Sequence, residues 1–189
     1  MPTIFLALGT NIGSLSDNLL AALGELSAQV SLTSISPVYE AEPMYMSDQP
    51  SFLNLTLQGE TNLTPDHLLS FIKGLEIKLG RTPSPRYGPR LIDIDLLFYG
   101  SETRQSPKLV IPHPRLHERA FVLRPLADIR PDWVHPRNGH TVAEMLAALT
   151  DEQCKSVRIT SLKLLGQPRS MKDKSHANID RNSSRNSLR

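Results

Sequence analysis

Arg86-Tyr87-Gly88-Pro89-Arg90-Leu91-Ile92-Asp93-Ile94-Asp95-Leu96-Leu97-Phe98-Tyr99-Gly100 is the stretch on which the chain's organisation turns. Its proline- and glycine-bearing start reads as a loop, and the apolar run that follows reads as a strand. Side chains alternate along a strand, so Asp93 and Asp95 share one face while Ile92, Ile94 and Leu96 take the other. Two neighbouring carboxylates repel each other in a half-buried strand unless positive charge stands between them. A hard divalent cation with oxygen ligands, magnesium above all, supplies that charge; the competing reading is that the acids face water or pair with Arg86 and Arg90.

Immediately upstream, Arg81-Thr82-Pro83-Ser84-Pro85-Arg86 continues the loop, so three arginines precede the two acids. Guanidinium groups match phosphate oxygens bidentately and stay charged, which suits a site handling a polyphosphate beside metal ions. Before this loop a helix is predicted, capped by Thr64, with Pro65 at its first position, a stripe of Leu68, Leu69, Ile72, Leu75 and Leu79, and a stop at Gly80. Glu76 lies near the negative end of that helix, a mild misfit that points to a partner.

Phe52 to Gly59 alternates as a strand, with Phe52 and Asn54 on its more polar face, where an amide beside an aromatic can read the edge of a flat heterocycle. The segment 40–50 has no regular period, and loops of that length usually bind or cover something. Nearer the start, Thr3 to Leu8 is a strand, Gly9 to Gly13 a turn, and Ser16 to Gln29 an amphipathic helix; no Gly-Lys-Ser/Thr follows to make a Walker loop. Val30 to Tyr39 is a strand ended near Pro37.

Beyond Gly100, a hairpin or short strands over Ser101 to Val110 lead to the rigid Pro112-His113-Pro114. A helix over Glu118 to Ile129 is predicted to break at Pro125. Trp133 reads as packing, as do His117, His135 and His140. Thr141 caps a helix through Leu149, and Val157 to Leu165 forms a last strand.

The chain has 189 residues, enough for one domain with a sizeable core, and no apolar run approaches the roughly 20 residues that cross a bilayer. The first nine residues read as a strand and not as a leader, and the single Cys154 fits a reducing compartment; both point to a cytoplasmic protein. The net charge of +2 is uneven: residues 166–189 carry six basic and two acidic side chains, which leaves the first 165 residues at −2. The body is therefore no basic nucleic-acid binder, and the Ser-, Asn- and basic-rich end is predicted to be a disordered tail. The division expected is a domain over 1–165 and a tail over 166–189.

Arg86-x-Gly-Pro-Arg90-x-x-Asp93-Ile94-Asp95-Leu96-Leu97 closely resembles the signature of the 6-hydroxymethyl-7,8-dihydropterin pyrophosphokinase family of folate biosynthesis. Leu8-Gly9-Thr10-Asn11, Asp48-Gln49-Pro50-x-Phe52-Leu53-Asn54, Leu75-Glu76-x-x-Leu79-Gly80-Arg81, Ile111-Pro112-His113-Pro114 and Arg119-x-Phe121-Val122-Leu123-x-Pro125-Leu126 fit the same resemblance in order. It implies an α+β fold of ferredoxin-like topology, an antiparallel sheet flanked by helices on both faces. The implied reaction moves the terminal diphosphate of ATP to the pterin hydroxymethyl oxygen and releases AMP, with two magnesium ions at Asp93 and Asp95. The resemblance assigns Arg81, Arg90 and Asp95 to catalysis and Pro43, Phe52, Asn54 and Phe121 to the pterin. For ATP it assigns Glu76, Arg86, Arg90, Leu96, Lys108, His113 and Arg119. A monomer without nucleic-acid or membrane partners is expected. Pro83 and Tyr87 depart from the family, which often has an arginine and a tryptophan there. The rival readings are a non-catalytic ferredoxin-like module binding nucleotide or metal, and a nucleotidyltransferase attacking the α-phosphorus.

Overall fold

The computed structural model describes residues 1–44, 48–81 and 88–164. Its central strand, β1 (Thr3–Thr10), has antiparallel neighbours from distant parts of the chain: β4 (Phe52–Glu60) on one side and β5 (Asp93–Tyr99) on the other. β4 also pairs with β2 (Ser31–Ile35) and β3 (Tyr39–Ala41), and β8 (Val157–Ile159) lengthens the sheet beyond β3. The order is β5-β1-β4-β3-β8, with β2 also on β4. A separate hairpin joins β6 (Arg104–Gln105) to β7 (Val110–Ile111).

Alternation along the strands sends two apolar sets to opposite faces. Ile4, Leu6, Leu8, Leu55, Leu57 and Ile94 meet the leucine stripes of α1 (Leu15–Leu26) and α2 (Pro65–Lys78). On the other face Phe5, Leu97 and Phe98 meet α3 (Ala120–Ile129) and α4 (Val142–Ala147). Phe5 and Phe98 pack edge to face at 5.9 Å, and the Trp133 ring lies 4.8 Å from Phe5, so this tryptophan is a packing residue. Each fully buried aliphatic or Phe side chain contributes about 1.5–3 kcal/mol, which makes these two layers the main stabilising term. The domain is thus an antiparallel sheet with helices on both faces.

Several boundaries differ from the sequence expectations. The β5 strand carries a bulge: Phe5 faces Phe98 while Leu6 faces Leu96, so Leu97 is the extra residue and joins the α3 layer together with Phe98. Pro125 does not break its helix; it lies buried inside α3, where it forgoes one backbone bond and gains core contact. The last strand stops at Ile159, and a short helix, α5 (Asp151–Lys155), precedes it with a capping box at Thr150 that periodicity did not reveal. The expected starts and stops at Thr64, Gly80 (φ +92°) and Thr141 hold. No described helix is long and apolar enough to cross a membrane. The proposed tail at 166–189 lies outside the described residues.

The functional consequence lies in what α3 and α4 leave uncovered. Past the Phe5 end of β1, the register places Ala7 opposite Asp95 and Gly9 opposite both Asp93 and Asn54. Two small residues on the middle strand thereby leave room above the sheet. At Gly9 the room is needed, since a Cβ would stand 3.1 Å from Asn54 Oδ1.

Candidate active site

A cleft of about 200 Å³ opens over that bare patch. Its floor is Ala7, Gly9 and Asn54, and Phe52 and Phe121 stand in its walls. Asp93 and Asp95 close one end, with Arg90, Arg119 and His113 around them. The strand argument therefore places both acids on one face as expected. Pro43 is not itself in the wall, although its neighbours Glu42 and Met44 are.

Arginines hold the acids. Asp93 receives Arg81 Nη1 on Oδ1 at 2.9 Å and Arg90 Nη1 on Oδ2 at 2.6 Å. Asp95 Oδ2 receives Arg119 Nη1 at 3.2 Å and lies 3.8 Å from His113 Nε2. The Arg119 guanidinium also stacks over the Phe121 ring at 5.6 Å, which fixes its approach. Arg90 Nε and Arg119 Nε are buried with no hydrogen-bond partner, so both groups keep spare donors for an anion. Arg86, the other arginine offered as a partner for the acids, lies outside the described residues, as do Pro83 and Tyr87.

His113 is placed by the bulge. Its backbone N–H donates to the Leu97 carbonyl at 2.9 Å, and its Nδ1 accepts the Arg115 N–H at 3.2 Å. The neutral ring therefore carries its proton on Nε2, facing Asp95. Burial pushes its pKa below the ordinary histidine value, and the nearby Asp95 carboxylate opposes that shift in part.

A second cleft, of about 210 Å³, runs along the free edge of β5 between α2 and the β6–β7 hairpin. Leu96, Lys108, Leu69 and Lys73 line it. Asp95 and His113 line both clefts, so the two hollows meet at that carboxylate and that imidazole.

Glu76, for which the resemblance implies an ATP contact, is held inside the protein. Only 1% exposed, it lines neither cleft. Its Oε1 accepts the Ile94 N–H at 2.8 Å, Lys73 Nζ lies 3.0 Å from both its oxygens, and Arg81 Nη1 lies 2.5 Å from Oε2. The misfit noted at the end of α2 is therefore resolved inside the protein: Glu76 ties α2 to the strand residue between the two aspartates, and holds Arg81 from behind. Glu76→Ala is expected to lower stability by about 2–4 kcal/mol, because it strands the buried Ile94 N–H and removes one of the two carboxylates that hold Arg81. Glu76→Gln, which keeps an acceptor for Ile94, should recover part of the loss in urea unfolding.

Asn11 supports the site from behind its walls; the sequence reading included it in a matched stretch but gave it no role. It is 2% exposed, and its partners are 38 to 79 residues away. No local pattern marks such a residue beyond its place after the Gly9 turn.

A family model described as 7,8-dihydro-6-hydroxymethylpterin-pyrophosphokinase matches residues 5–131. The folic acid synthesis protein fol1 of Pneumocystis carinii is 39% identical over 155 residues, 82% of this chain and 21% of that protein. The 2-amino-4-hydroxy-6-hydroxymethyldihydropteridine pyrophosphokinase of Bacillus subtilis is 42% identical over 127 residues, 66% of this chain and 76% of that protein. The protein of the same name from Pseudomonas aeruginosa is 38% identical over 147 residues, 77% of this chain and 90% of that protein. The chain thus spans about a fifth of the Pneumocystis protein and most of the two bacterial ones. Among solved structures, the HPPK-DHPS of Plasmodium falciparum with pteroate superposes with a TM-score of 0.63 at 18% identity, covering 77% of this chain and 42% of that one. That likeness concerns the fold.

Proposed function

Because the chain belongs to the 7,8-dihydro-6-hydroxymethylpterin-pyrophosphokinase family, we propose that it transfers the β,γ-diphosphate of ATP to the hydroxymethyl group of 6-hydroxymethyl-7,8-dihydropterin, releasing AMP. The observation that carries this reading is the meeting of two clefts at Asp95 and His113: one is aromatic-walled and floored by an amide, the other runs along a strand edge beside lysines. A flat heterocycle fits the first and a nucleotide the second, so their reacting ends converge on the acids. The order β5-β1-β4-β2, with α1 and α2 as connections on one face, supports a ferredoxin-like topology.

The donor set suits magnesium. Among the described residues no group of three or more His, Cys, Asp or Glu side chains could hold a metal ion, so Asp93 and Asp95 need further oxygens from water and a phosphate chain. Magnesium is commonly bound in that way, by one or two carboxylates plus substrate phosphates. When bound, it neutralises phosphate charge and orients the chain for in-line displacement.

In the reading proposed, Phe52 and Phe121 sandwich the pterin and Asn54 reads its amide edge. Arg119, Lys108 and His113 face the nucleotide phosphates, Leu96 lies against the nucleoside, and Arg86 is a further ATP contact. Arg81 and Arg90, released from Asp93, move onto the phosphates and spread the charge that builds up on them. The hydroxymethyl oxygen forms a bond to the β-phosphorus and gives up its proton to solvent, the bond from that phosphorus to the α,β-bridging oxygen breaks, and AMP leaves with that oxygen and its electron pair. A cytoplasmic, monomeric enzyme is part of the same reading.

Product analysis with magnesium, ATP and the pterin tests it. AMP and a pterin diphosphate support the proposal. Pyrophosphate and an adenylylated pterin would indicate attack at the α-phosphorus, and no product at all would favour a silent binding module. Phe52→Ala is expected to weaken pterin binding by about 1–3 kcal/mol, the usual worth of one stacking face, with little change in ATP-analogue affinity measured by calorimetry.

A further inference from the structure

β1 runs between β4 and β5, and at Gly9 its register meets Asn54 on one side and Asp93 on the other. The Asn54 side chain lies in the floor of the first cleft, and the residue is 6% exposed. Its Nδ2 donates to the Phe52 carbonyl at 3.4 Å, and its Oδ1 rests over the bare Cα of Gly9, where a Cβ would approach to 3.1 Å. Exchanging the two ends of the amide would set Oδ1 against the Phe52 carbonyl, acceptor against acceptor. The amide therefore holds one orientation, and it has room to do so because position 9 carries no side chain. Ala7, two residues earlier on the same face, stands opposite Thr56 and Asp95, so the floor accepts a methyl group there but not beneath the amide.

We propose that Gly9 is a specificity-determining residue: its missing side chain lets Asn54 hold the one amide orientation that selects a 2-amino-4-oxo ring over a 2,4-diamino ring in the first cleft. The selection is a matter of order. The first ring presents a donor at N3 beside an acceptor at C4, and the second presents an acceptor at N3 beside a donor at C4. A fixed amide, with one acceptor and one donor, matches one order and meets the other like against like. A site built to pair a polar edge rejects a ring that leaves its groups unpaired far more strongly than an apolar wall can. Phe52 and Phe121 stack on either ring alike, so the aromatic walls do not choose between them. The inference rests on the placing of the pterin in this cleft proposed above.

A methyl group at position 9 has a definite atom to press on. Gly9→Ala pushes Oδ1 aside and turns the amide off the Phe52 carbonyl, which opens both orders to it. Asn54→Ala removes the atom that the methyl would meet, so the two changes form a cycle that isolates the contact. A general disturbance of the strand would weaken both rings in proportion, whereas a freed amide changes the ratio between them.

The test is calorimetric titration of the full chain with 6-hydroxymethyl-7,8-dihydropterin and with its 2,4-diamino counterpart, magnesium and a non-hydrolysable ATP analogue being present throughout. The unsubstituted protein should prefer the 4-oxo ring by about fifty-fold or more, and Gly9→Ala should weaken that ring by about tenfold or more and cut the preference to about five-fold or less. In an Asn54→Ala background the same change at position 9 should alter either affinity by about two-fold or less. A Gly9→Ala protein that keeps the parent's preference would overturn the proposal, as would a parent that binds both rings alike. An equal loss of the 4-oxo ring with Asn54 already truncated would overturn it too, since the methyl would then act on the cleft and not on the amide. If Gly9→Ala does not fold, as judged by circular dichroism, the double variant decides: a folded double variant supports the contact, and an unfolded one overturns it. Should the unsubstituted protein bind neither ring, the placing of the pterin itself fails.

Discussion

Asp95→Ala is expected to lower turnover by about a thousand-fold or more while leaving the fold intact, since loss of a cation's charge stabilisation costs several kcal/mol at about 1.4 kcal/mol per tenfold. Asp95 is the one described carboxylate that lines both clefts, where it stands beside His113. Its side chain is about one-third exposed, and Arg119 and His113, which would lose it as a neighbour, both border the open cleft, so truncation falls at the cleft surface and not in the core. Melting temperature and near-ultraviolet circular dichroism should therefore stay close to those of the parent. Manganese binding in the presence of an ATP analogue, followed by electron paramagnetic resonance, should weaken together with turnover. Full activity with magnesium would remove Asp95 from the reaction.

Arg90→Ala should reduce kcat by about 10²–10³-fold, the cost of removing one well-placed donor from a developing charge, with a much smaller effect on pterin affinity. The reasoning is geometric. Arg90 grips Asp93 at 2.6 Å and has a spare buried Nε–H, so its guanidinium has an alternative partner ready once phosphate arrives. Its backbone N–H, which Asn11 holds, survives the substitution, and the cleft wall should survive with it. Rapid-quench measurement of the chemical step separates this outcome from a binding defect. A variant that loses only pterin affinity would move Arg90 from the phosphates to the heterocycle wall.

The fold could be read from the sequence wherever one period dominates. Asp93 and Asp95 fall on one face, and Leu68, Ile72 and Leu75 on one stripe, because neighbouring residues fix those directions. Reading failed where a residue answers to something distant. Leu97 breaks the alternation of β5 because the α3 layer has room for a second large side chain beside Phe98, and the sequence alone describes only a continuous apolar run. Glu76 was noticed for its awkward place at a helix end, but the partners that settle it lie on β5 and at Arg81, which no local pattern names. Asn11 gave no signal of its role, since its three side-chain bonds reach across two loops. Pro125 misled by the opposite route: a local rule about helix breaking yielded to burial.

The guanidinium groups on Asp93 and Asp95 have a bearing on how the protein rests between turnovers. On the proposed reading, in which the acids hold magnesium, these guanidinium groups pair with the carboxylates whenever no cation is bound, so a chelator should abolish the proposed activity without loosening the architecture. Scarcity of magnesium would then leave an idle but intact protein, ready to restart when the ion returns and no easier for proteases to cut in the meantime.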